Sequence, residues 1–213
     1  MRHIQAALFA LALGGCASVS GEQSAGFVNP QVAAAYIPLA GRTYMVMENR
    51  GAAFVLAPGI AVTNAHNDDF LGDLPVIGAS RNYDLLFFRT TRTAVPVYGA
   101  PVVGERVVAY GQGPHGEVRE AHGLVRALNQ PVEARCETCT VQAAFIYEGD
   151  AGPGFSGGPV VDAASGAIVG ITFGYNDENG HRLMYAYPVS RVRNELAAIQ
   201  GRLPTEIDGG ATP

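Results

Sequence analysis

The sequence has little charge and no lysine, and its negative net charge disfavours one class of protein at the outset. Charged residues make up 15% of the 213 residues, the 14 basic residues are all arginines, and the formal net charge is -5. A nucleic-acid-binding protein normally carries a basic excess, so this class is disfavoured. Glycine and proline number 27 and 13, but they lie between apolar runs and form no repeat, which excludes collagen and coiled coils.

The apolar run at the N-terminus is too short to cross a membrane. It extends from Ile4 to Leu13 after the basic residue Arg2, whereas a spanning helix needs about 20 residues. This pattern is typical of the hydrophobic part of a secretory signal. The following residues, Leu13-Gly14-Gly15-Cys16, resemble the lipobox of bacterial lipoproteins, where cleavage precedes an acylated cysteine. An ordinary signal peptide or a buried N-terminal helix are the alternatives.

The lipobox resemblance implies a signal peptide over residues 1–15 and a lipid on Cys16. Ala17, in place of an aspartate, is similar to the enterobacterial pattern that is sent to the outer membrane. We therefore expect a lipid-anchored protein of the bacterial cell envelope, on the outer membrane and facing the periplasm. Residues 16–38 are interpreted as the lipidated N-terminus and a tether.

The two remaining cysteines, Cys136 and Cys139, form an even pair, as expected in an oxidising compartment. A zinc site would need two further ligands at a suitable spacing, and a redox motif would need a strand leading into a helix. The flanking residues instead indicate two strands around a turn. We predict a small disulfide that closes a hairpin and no metal site, with free thiols, metal and redox chemistry as the alternatives.

From Thr43 onward, short apolar and β-branched runs alternate with turn residues, which predicts an all-β barrel or sandwich. One segment instead has helical spacing, with apolar residues at positions i, i+3, i+7 and i+10: Val189, Val192, Leu196 and Ile199. Gly201 is suited to end this helix. Residues 204–213 are expected to form a flexible tail.

Three separated residues have the chemistry of an activated nucleophile. Ser156 lies among glycines in Gly-Phe-Ser-Gly-Gly-Pro, His66 ends an apolar strand, and Asp84 precedes the run Leu-Leu-Phe-Phe. A serine needs a neighbouring base, and the base needs a carboxylate to orient it. Each signal alone is weak, because a Ser-Gly-Gly turn, a structural histidine and a capping aspartate are all common.

Together these motifs resemble the chymotrypsin-type, or trypsin-like, serine proteases, which use the chain order His, Asp, Ser. The motifs are GAAFVLAPGIAVTNAHN, NYDLLFFR, GPGFSGGPVVD and AIVGITFG, followed by the closing helix. The segments ERVVAYGQGP and HGLVRAL are similar to the bacterial HtrA-like and glutamyl-endopeptidase-like branches. The resemblance covers residues 42–201.

The resemblance implies an all-β fold of two six-stranded antiparallel β-barrels with a C-terminal α-helix and the site between the barrels. Within a protease domain over residues 39–203, barrel one is expected over residues 39–108, barrel two over residues 109–188 and the helix over residues 189–201. No cofactor is implied.

The resemblance also implies roles for individual residues in a serine endopeptidase that forms an acyl-enzyme intermediate. Ser156 would attack the scissile carbonyl, His66 would take and return the proton, and Asp84 would orient His66. The backbone N–H groups of Gly154 and Ser156 would form the oxyanion hole. The implied substrate is a polypeptide.

Two further features concern substrate binding. Thr172, Phe173 and Gly174 would form the strand edge that pairs with an extended substrate, with an ordinary sheet edge as the alternative. Asp150 lies six residues before Ser156, where the trypsin branch places the aspartate that binds Arg or Lys. A solvated turn aspartate is the alternative, and it is favoured. Acid-preferring members carry a histidine where this chain has Thr172, which counts against glutamate specificity.

The sequence departs from the family in ways that keep a second function open. Asp84 lies only 18 positions after His66, so part of the first barrel must be trimmed. Phe155 replaces the aspartate that accepts a newly cut N-terminus in zymogen-activated members. A trypsin-fold lipoprotein that binds a peptide or an envelope partner without cleaving is therefore the alternative. The three other aspartates between the two residues are rivals of Asp84: Asp68, Asp69 and Asp73.

Overall fold

The structure is a computed structural model that describes residues 20–44, 47–133 and 141–201. Twelve strands and two α-helices are described, with one 3₁₀ helix between strands β4 and β5. The elements in chain order are β1 (Glu22–Gln23), α1 (Pro30–Ala35), β2 (Tyr36–Tyr44), β3 (Met47–Ala57), β4 (Ile60–Thr63), the 3₁₀ helix (Ala65–Phe70), β5 (Val76–Ala79), β6 (Leu86–Arg89), β7 (Arg106–Gln112), β8 (Val118–Glu133), β9 (Val141–Gly149), β10 (Pro159–Asp162), β11 (Ile168–Glu178), β12 (His181–Pro188) and α2 (Val189–Gln200).

The second half of the chain forms a closed six-stranded antiparallel barrel. Its strand order is β8-β7-β10-β11-β12-β9, and β9 pairs back with β8. Strand β8 reaches both neighbours because its pairing with β9 contains two register shifts, between Val125 and Ala127 and between Ala127 and Gln130. Bulges of this kind bend a strand and increase its twist, and this curvature allows the sheet to close.

The first half of the chain forms an antiparallel sheet of five described strands, in the order β2-β3-β4-β6-β5. The resemblance implied six strands and a second closed barrel, and no pairing among the described residues closes this sheet. The reason lies between His66 and Asp84, where the short interval holds only the 3₁₀ helix and the four-residue strand β5. The all-β, two-sheet architecture is confirmed, with a first sheet that is smaller than expected.

The assignment of residues 16–38 to a tether is wrong for residues 20–38. Glu22 and Gln23 pair with strand β8 as an additional edge strand, and helix α1 follows, with the Asn29 side chain accepting a hydrogen bond from the N–H of Val32. Val32 is fully buried in the main apolar core. The structure of this segment depends on its contacts with strand β8 and with the core. Its own sequence has no sustained apolar period, so the sequence pattern could not predict these elements.

The C-terminal helix α2 packs across both sheets. Its four apolar residues predicted from the spacing are all buried, and Gly201 caps its end. The helix contacts strands β11 and β12 of the barrel and also β5 of the first sheet, where Ser80 Oγ donates a 2.6 Å hydrogen bond to Glu195 Oε2. It therefore braces the turn that leads into Asp84.

Several predictions fall outside the described residues. These are the signal peptide over residues 1–15, the lipid on Cys16, the disulfide between Cys136 and Cys139 and the tail over residues 204–213. In the described ranges, no helix has the length and apolar character needed to span a bilayer.

Candidate active site

His66 and Asp84 form a doubly hydrogen-bonded pair. The Nδ1 atom of His66 lies 2.6 Å from Asp84 Oδ2, and the backbone N–H of His66 donates to Asp84 Oδ1 at 3.0 Å. An ionised carboxylate can only accept hydrogen bonds, so in the neutral form of the imidazole Nδ1 carries the hydrogen and Nε2 has the lone pair. His66 is 40% exposed whereas Asp84 is 6% exposed, which leaves the imidazole accessible to a substrate. The pair has the arrangement of a general base with its orienting carboxylate.

The local fold fixes the position of Asp84. Asn64 Nδ2 donates to the backbone carbonyl of Asp84 at 2.9 Å, and the N–H of Asp84 donates to Tyr187 Oη at 3.4 Å. Burial raises the pKa of Tyr187, and the negative charge of Asp84 raises it further. Tyr187 therefore stays protonated beside the carboxylate. Because Tyr187 belongs to strand β12, this contact joins the orienting aspartate to the barrel.

The three rival aspartates do not occupy this position. Asp68 and Asp69 lie exposed in the 3₁₀ helix after His66, and Asp73 lies exposed in the loop that follows. The Oδ1 atom of Asp68 accepts a hydrogen bond from the N–H of Asp69, so it serves a local turn. Among these four carboxylates, the structure joins only Asp84 to the imidazole.

The segment that carries Ser156 is fastened to the first sheet next to His66. The backbone carbonyl of Ser156 accepts hydrogen bonds from the N–H of Ala52, at 2.8 Å, and from Asn67 Nδ2, at 3.0 Å. A Cβ atom at Gly157 would collide with the carbonyl oxygen of Ala52 and with the hydroxyl of Thr63. The Ser156 segment is therefore bonded, where the two sheets join, to the residue that follows His66.

No hydrogen bond joins the Ser156 hydroxyl to His66 in the described part of the chain. Catalytic hydrogen bonds are often long in an unliganded enzyme and shorten when a substrate binds. The described geometry thus brings His66 and Asp84 into direct contact and places Ser156 on a segment bonded to the residue after His66.

The loop before Ser156 contains a glycine whose backbone conformation other residues rarely adopt. Gly154 has a φ of 90°, in the left-handed region that favours glycine. The carbonyl of Gly154 accepts a 3.0 Å hydrogen bond from the N–H of Gln112. Within the described residues, neither the Gly154 N–H nor the Ser156 N–H donates to a protein acceptor, so both are available to a ligand.

Phe155 packs beneath this loop. Its side chain is fully buried in the core of the barrel. A Cβ atom at Gly111 would lie 2.6 Å from Phe155 Cγ, so strand β7 needs a glycine where the ring crosses it. An apolar contact thus supports the loop at the position where zymogen-activated relatives carry an aspartate.

The three residues predicted to bind an extended substrate follow one another in strand β11. The Thr172 hydroxyl is buried and lies 2.9 Å from Tyr147 Oη, while its carbonyl accepts the N–H of Gly157 at 2.9 Å. Phe173 stacks on Tyr187 with ring centroids 4.0 Å apart. Gly174 follows a register shift in the pairing with β12. These residues therefore contact both the Ser156 loop and the tyrosine beside Asp84.

Asp150 lies on the outside of the barrel. Its side chain is 77% exposed, and its nearest cation is Arg182, at 3.7 Å. It lines a broad, open groove together with Arg106, His122 and Glu148. This placement favours the alternative of a solvated turn aspartate over an aspartate that lines a specificity pocket.

Sequence reasoning missed two residues that organise the site. Asn67 bonds the Ser156 carbonyl, and Tyr187 contacts the N–H of Asp84. The position of Asn67 directly after His66 was an available signal. Tyr187 carried none, since it lies 103 residues from Asp84.

Among the described residues, one group of three side chains could together hold a metal ion. The ligand atoms of Glu22, Glu120 and His122 lie within 4.8 Å of one another. The His122 Nε2 atom is 3.3 Å from a carboxylate oxygen of each glutamate, so the group is already satisfied by ion pairing when the imidazole is protonated. It is built on strands β1 and β8, whereas His66 and Asp84 belong to the first sheet.

The fold of this chain is similar to the folds of several proteases of known structure. The active form of Rv3671c protease from M. tuberculosis is 21% identical, with a TM-score of 0.64, and the alignment covers 90% of this chain and 89% of that chain. The HtrA-type protease AlgW with tripeptide is 20% identical, with a TM-score of 0.60, covering 79% of this chain and 60% of that chain. The MamO protease domain from Magnetospirillum magneticum is 19% identical, with a TM-score of 0.59, and the alignment covers 78% of this chain and 97% of that chain.

At these identities the structural likeness shows the fold alone, and no curated protein matches the chain. The trypsin-like peptidase domain family matches residues 46–171. This match includes the segments of His66, Asp84 and Ser156 and extends over more than half of the sequence. The chain therefore belongs to the trypsin-like peptidase family of serine proteases.

Proposed function

We propose that this protein is a serine endopeptidase that uses His66, Asp84 and Ser156 as its catalytic residues. The observation that carries the proposal is the buried Asp84 carboxylate bonded twice to His66, next to a serine segment held by Asn67. A histidine oriented by a buried carboxylate, beside a serine flanked by glycines, is the arrangement that acyl transfer requires.

The residues divide the reaction into two steps. Ser156 Oγ attacks the peptide carbonyl while His66 Nε2 takes the hydroxyl proton, and the same nitrogen then returns this proton to the leaving amine. The resulting ester is cleaved by water, which His66 activates in the same way. Asp84 stabilises the imidazolium during both steps. The N–H groups of Gly154 and Ser156 bind the oxyanion that forms in each.

A polypeptide in extended conformation is the proposed substrate. Strand β10 pairs with β11 only as far as Ile171, so no described strand covers that side of β11 at Phe173 and Gly174. A peptide added at this edge would gain main-chain hydrogen bonds and run past Ser156. AlgW, one of the structural neighbours, was solved with a tripeptide, which supports the same class of ligand here.

Covalent labelling with a fluorophosphonate probe tests this proposal. The native protein should take up one probe per chain, and peptide mapping should place it on Ser156. Ser165 is a matched control, because its hydroxyl donates to Asp162 at 2.6 Å and bonds no histidine among the described residues. Its alanine variant should label like the wild type. A folded wild type that stays unlabelled would contradict the proposal and support the alternative of a partner-binding module.

We also propose that Cys16 anchors the protein in the bacterial envelope, on the outer membrane and facing the periplasm. The support comes from the sequence, where a short apolar run ends in Leu-Gly-Gly-Cys. The wild type should sediment with membranes, and Cys16→Ser should appear in the soluble fraction. Equal membrane recovery of both proteins would contradict the lipid anchor.

A further inference from the structure

The residues before the first helix lie against the loop that carries the proposed oxyanion amides. The N–H of Gly21 donates a 2.6 Å hydrogen bond to the backbone carbonyl of Asp150. A Cβ atom at Gly152 would collide with the hydroxyl of Ser20. Ser20 itself is 6% exposed. Residues 20–23, which we name the N-terminal brace, therefore contact the loop through a backbone hydrogen bond and through the Ser20 side chain.

Two arginines hold the N-terminal brace in place. Arg119 donates from Nε to the carbonyl of Ser20 at 2.7 Å and from Nη2 to the carbonyl of Gly21. Arg182 donates from Nη1 both to the hydroxyl of Ser20 and to the carbonyl of Ala151, each at 3.3 Å. Charged donors make the stronger hydrogen bonds in proteins. The brace is thus held on strand β8 by Arg119 and joined to the loop by Arg182.

The brace also covers Phe155, which lies between the two proposed oxyanion amides. A Cβ atom at Gly21 would lie 2.8 Å from Phe155 Cζ and 2.6 Å from the carbonyl oxygen of Glu120. Gly21 has a φ of 65°, where any other residue is strained. The position therefore requires glycine for its conformation and for the space taken by the ring.

We infer that the N-terminal brace is a positioning element for the oxyanion-binding amides, with Gly21 and Arg119 as positioning residues. The brace bonds the loop at Asp150 and packs on Phe155, while Gln112 bonds the same loop at Gly154 from strand β7. Displacing the brace removes one of these supports and frees the loop to turn the amides away from the cleft. This inference rests on the proposed peptidase function.

A pair of glycine variants tests the inference in the full-length protein. Gly21→Ala introduces the two close contacts, whereas Gly26→Ala is the matched control, because no atom lies within 4 Å of the added Cβ. Losing one oxyanion donor costs about 10²–10³-fold in kcat, so misplacing the amides through Gly21→Ala should lower kcat at least about tenfold. The KM should change less than about twofold, since the amides act in the transition state.

Two readouts separate positioning from general loss of structure. A peptidyl boronic acid, whose tetrahedral adduct occupies the oxyanion site, should bind Gly21→Ala more weakly, while an uncleavable peptide should bind both variants alike. Hydrogen exchange of residues 150–156 should be faster in Gly21→Ala than in Gly26→Ala. Hydrogen exchange can be measured whether or not the protein hydrolyses peptides. An inactive wild type would therefore contradict the proposed function, and the exchange rates would still test whether the brace positions the loop.

A second pair of variants serves if Gly21→Ala does not fold. Arg119→Ala removes both hydrogen bonds to the brace. Arg126→Ala is the matched control, because Arg126 belongs to the same strand but donates to Glu148, at 2.8 Å. Only Arg119→Ala should lower kcat and speed exchange of the loop. Equal kcat and equal exchange within either folded pair would overturn the inference.

Discussion

Ser156→Ala is expected to lower kcat for peptide hydrolysis by about 10⁶-fold, the size of loss found when a triad nucleophile is removed from a serine protease. The variant keeps the backbone that bonds Ala52 and Asn67, so the fold and the binding of peptide should be retained. Steady-state kinetics, with KM or the dissociation constant of an uncleavable peptide as a second measurement, checks both parts.

Ser165→Ala is the control for this loss, and its kcat should match that of the wild type. Residual hydrolysis by Ser156→Ala within tenfold of the wild type would show that another group is the nucleophile. A large loss with unchanged thermal unfolding would confine the effect to the chemistry.

Asp84→Asn is expected to lower kcat by about 10⁴-fold through the tautomer of His66. Asp84 Oδ1 accepts the backbone N–H of His66, so the amide oxygen of the asparagine must take that side. Its NH₂ group then faces Nδ1, which has to accept a hydrogen bond. The ring hydrogen moves to Nε2, so the nitrogen that should remove the serine proton already carries a hydrogen.

The rival aspartates provide matched controls, since Asp68→Asn and Asp69→Asn change exposed residues of the same helix as His66. Their kcat should match that of the wild type, because among these aspartates only Asp84 bonds the imidazole, whereas Asp68 Oδ1 accepts the N–H of Asp69. A 15N spectrum of the His66 ring should show the hydrogen on Nδ1 in the wild type and on Nε2 in Asp84→Asn. Equal activity of Asp84→Asn and wild type would remove Asp84 from the mechanism.

The sequence predicted those parts of the site that depend on local patterns. His66 comes shortly after an apolar strand and Asp84 shortly before one, and these two strands pair in the first sheet, so both residues lie at one edge, where they bond. The glycines around Ser156 indicated a tight turn, and the loop indeed contains left-handed residues, Gly154 and Gly157. Helix α2 was also predicted correctly, because its four buried residues follow the spacing of one helix face.

Other features could not be read from local patterns because distant contacts determine them. The N-terminal brace is held by Arg119, 99 residues away from Ser20, and it contains no apolar side chain that could mark it as part of the packed structure. The first sheet has five described strands, a count that depends on which strands pair. The placement of Asp150 beside Arg182 depends on the course of the hairpin between β11 and β12.

The carbonyl of Ser156 joins the two halves of the molecule, whereas its hydroxyl is the proposed nucleophile. Alanine removes the second role and leaves the first intact, so the architecture around an uncut polypeptide should be preserved. Ser156→Ala is therefore suited as a bait for the physiological target. Crosslinking it in cells, followed by mass spectrometry of the captured chains, would identify which proteins this peptidase processes.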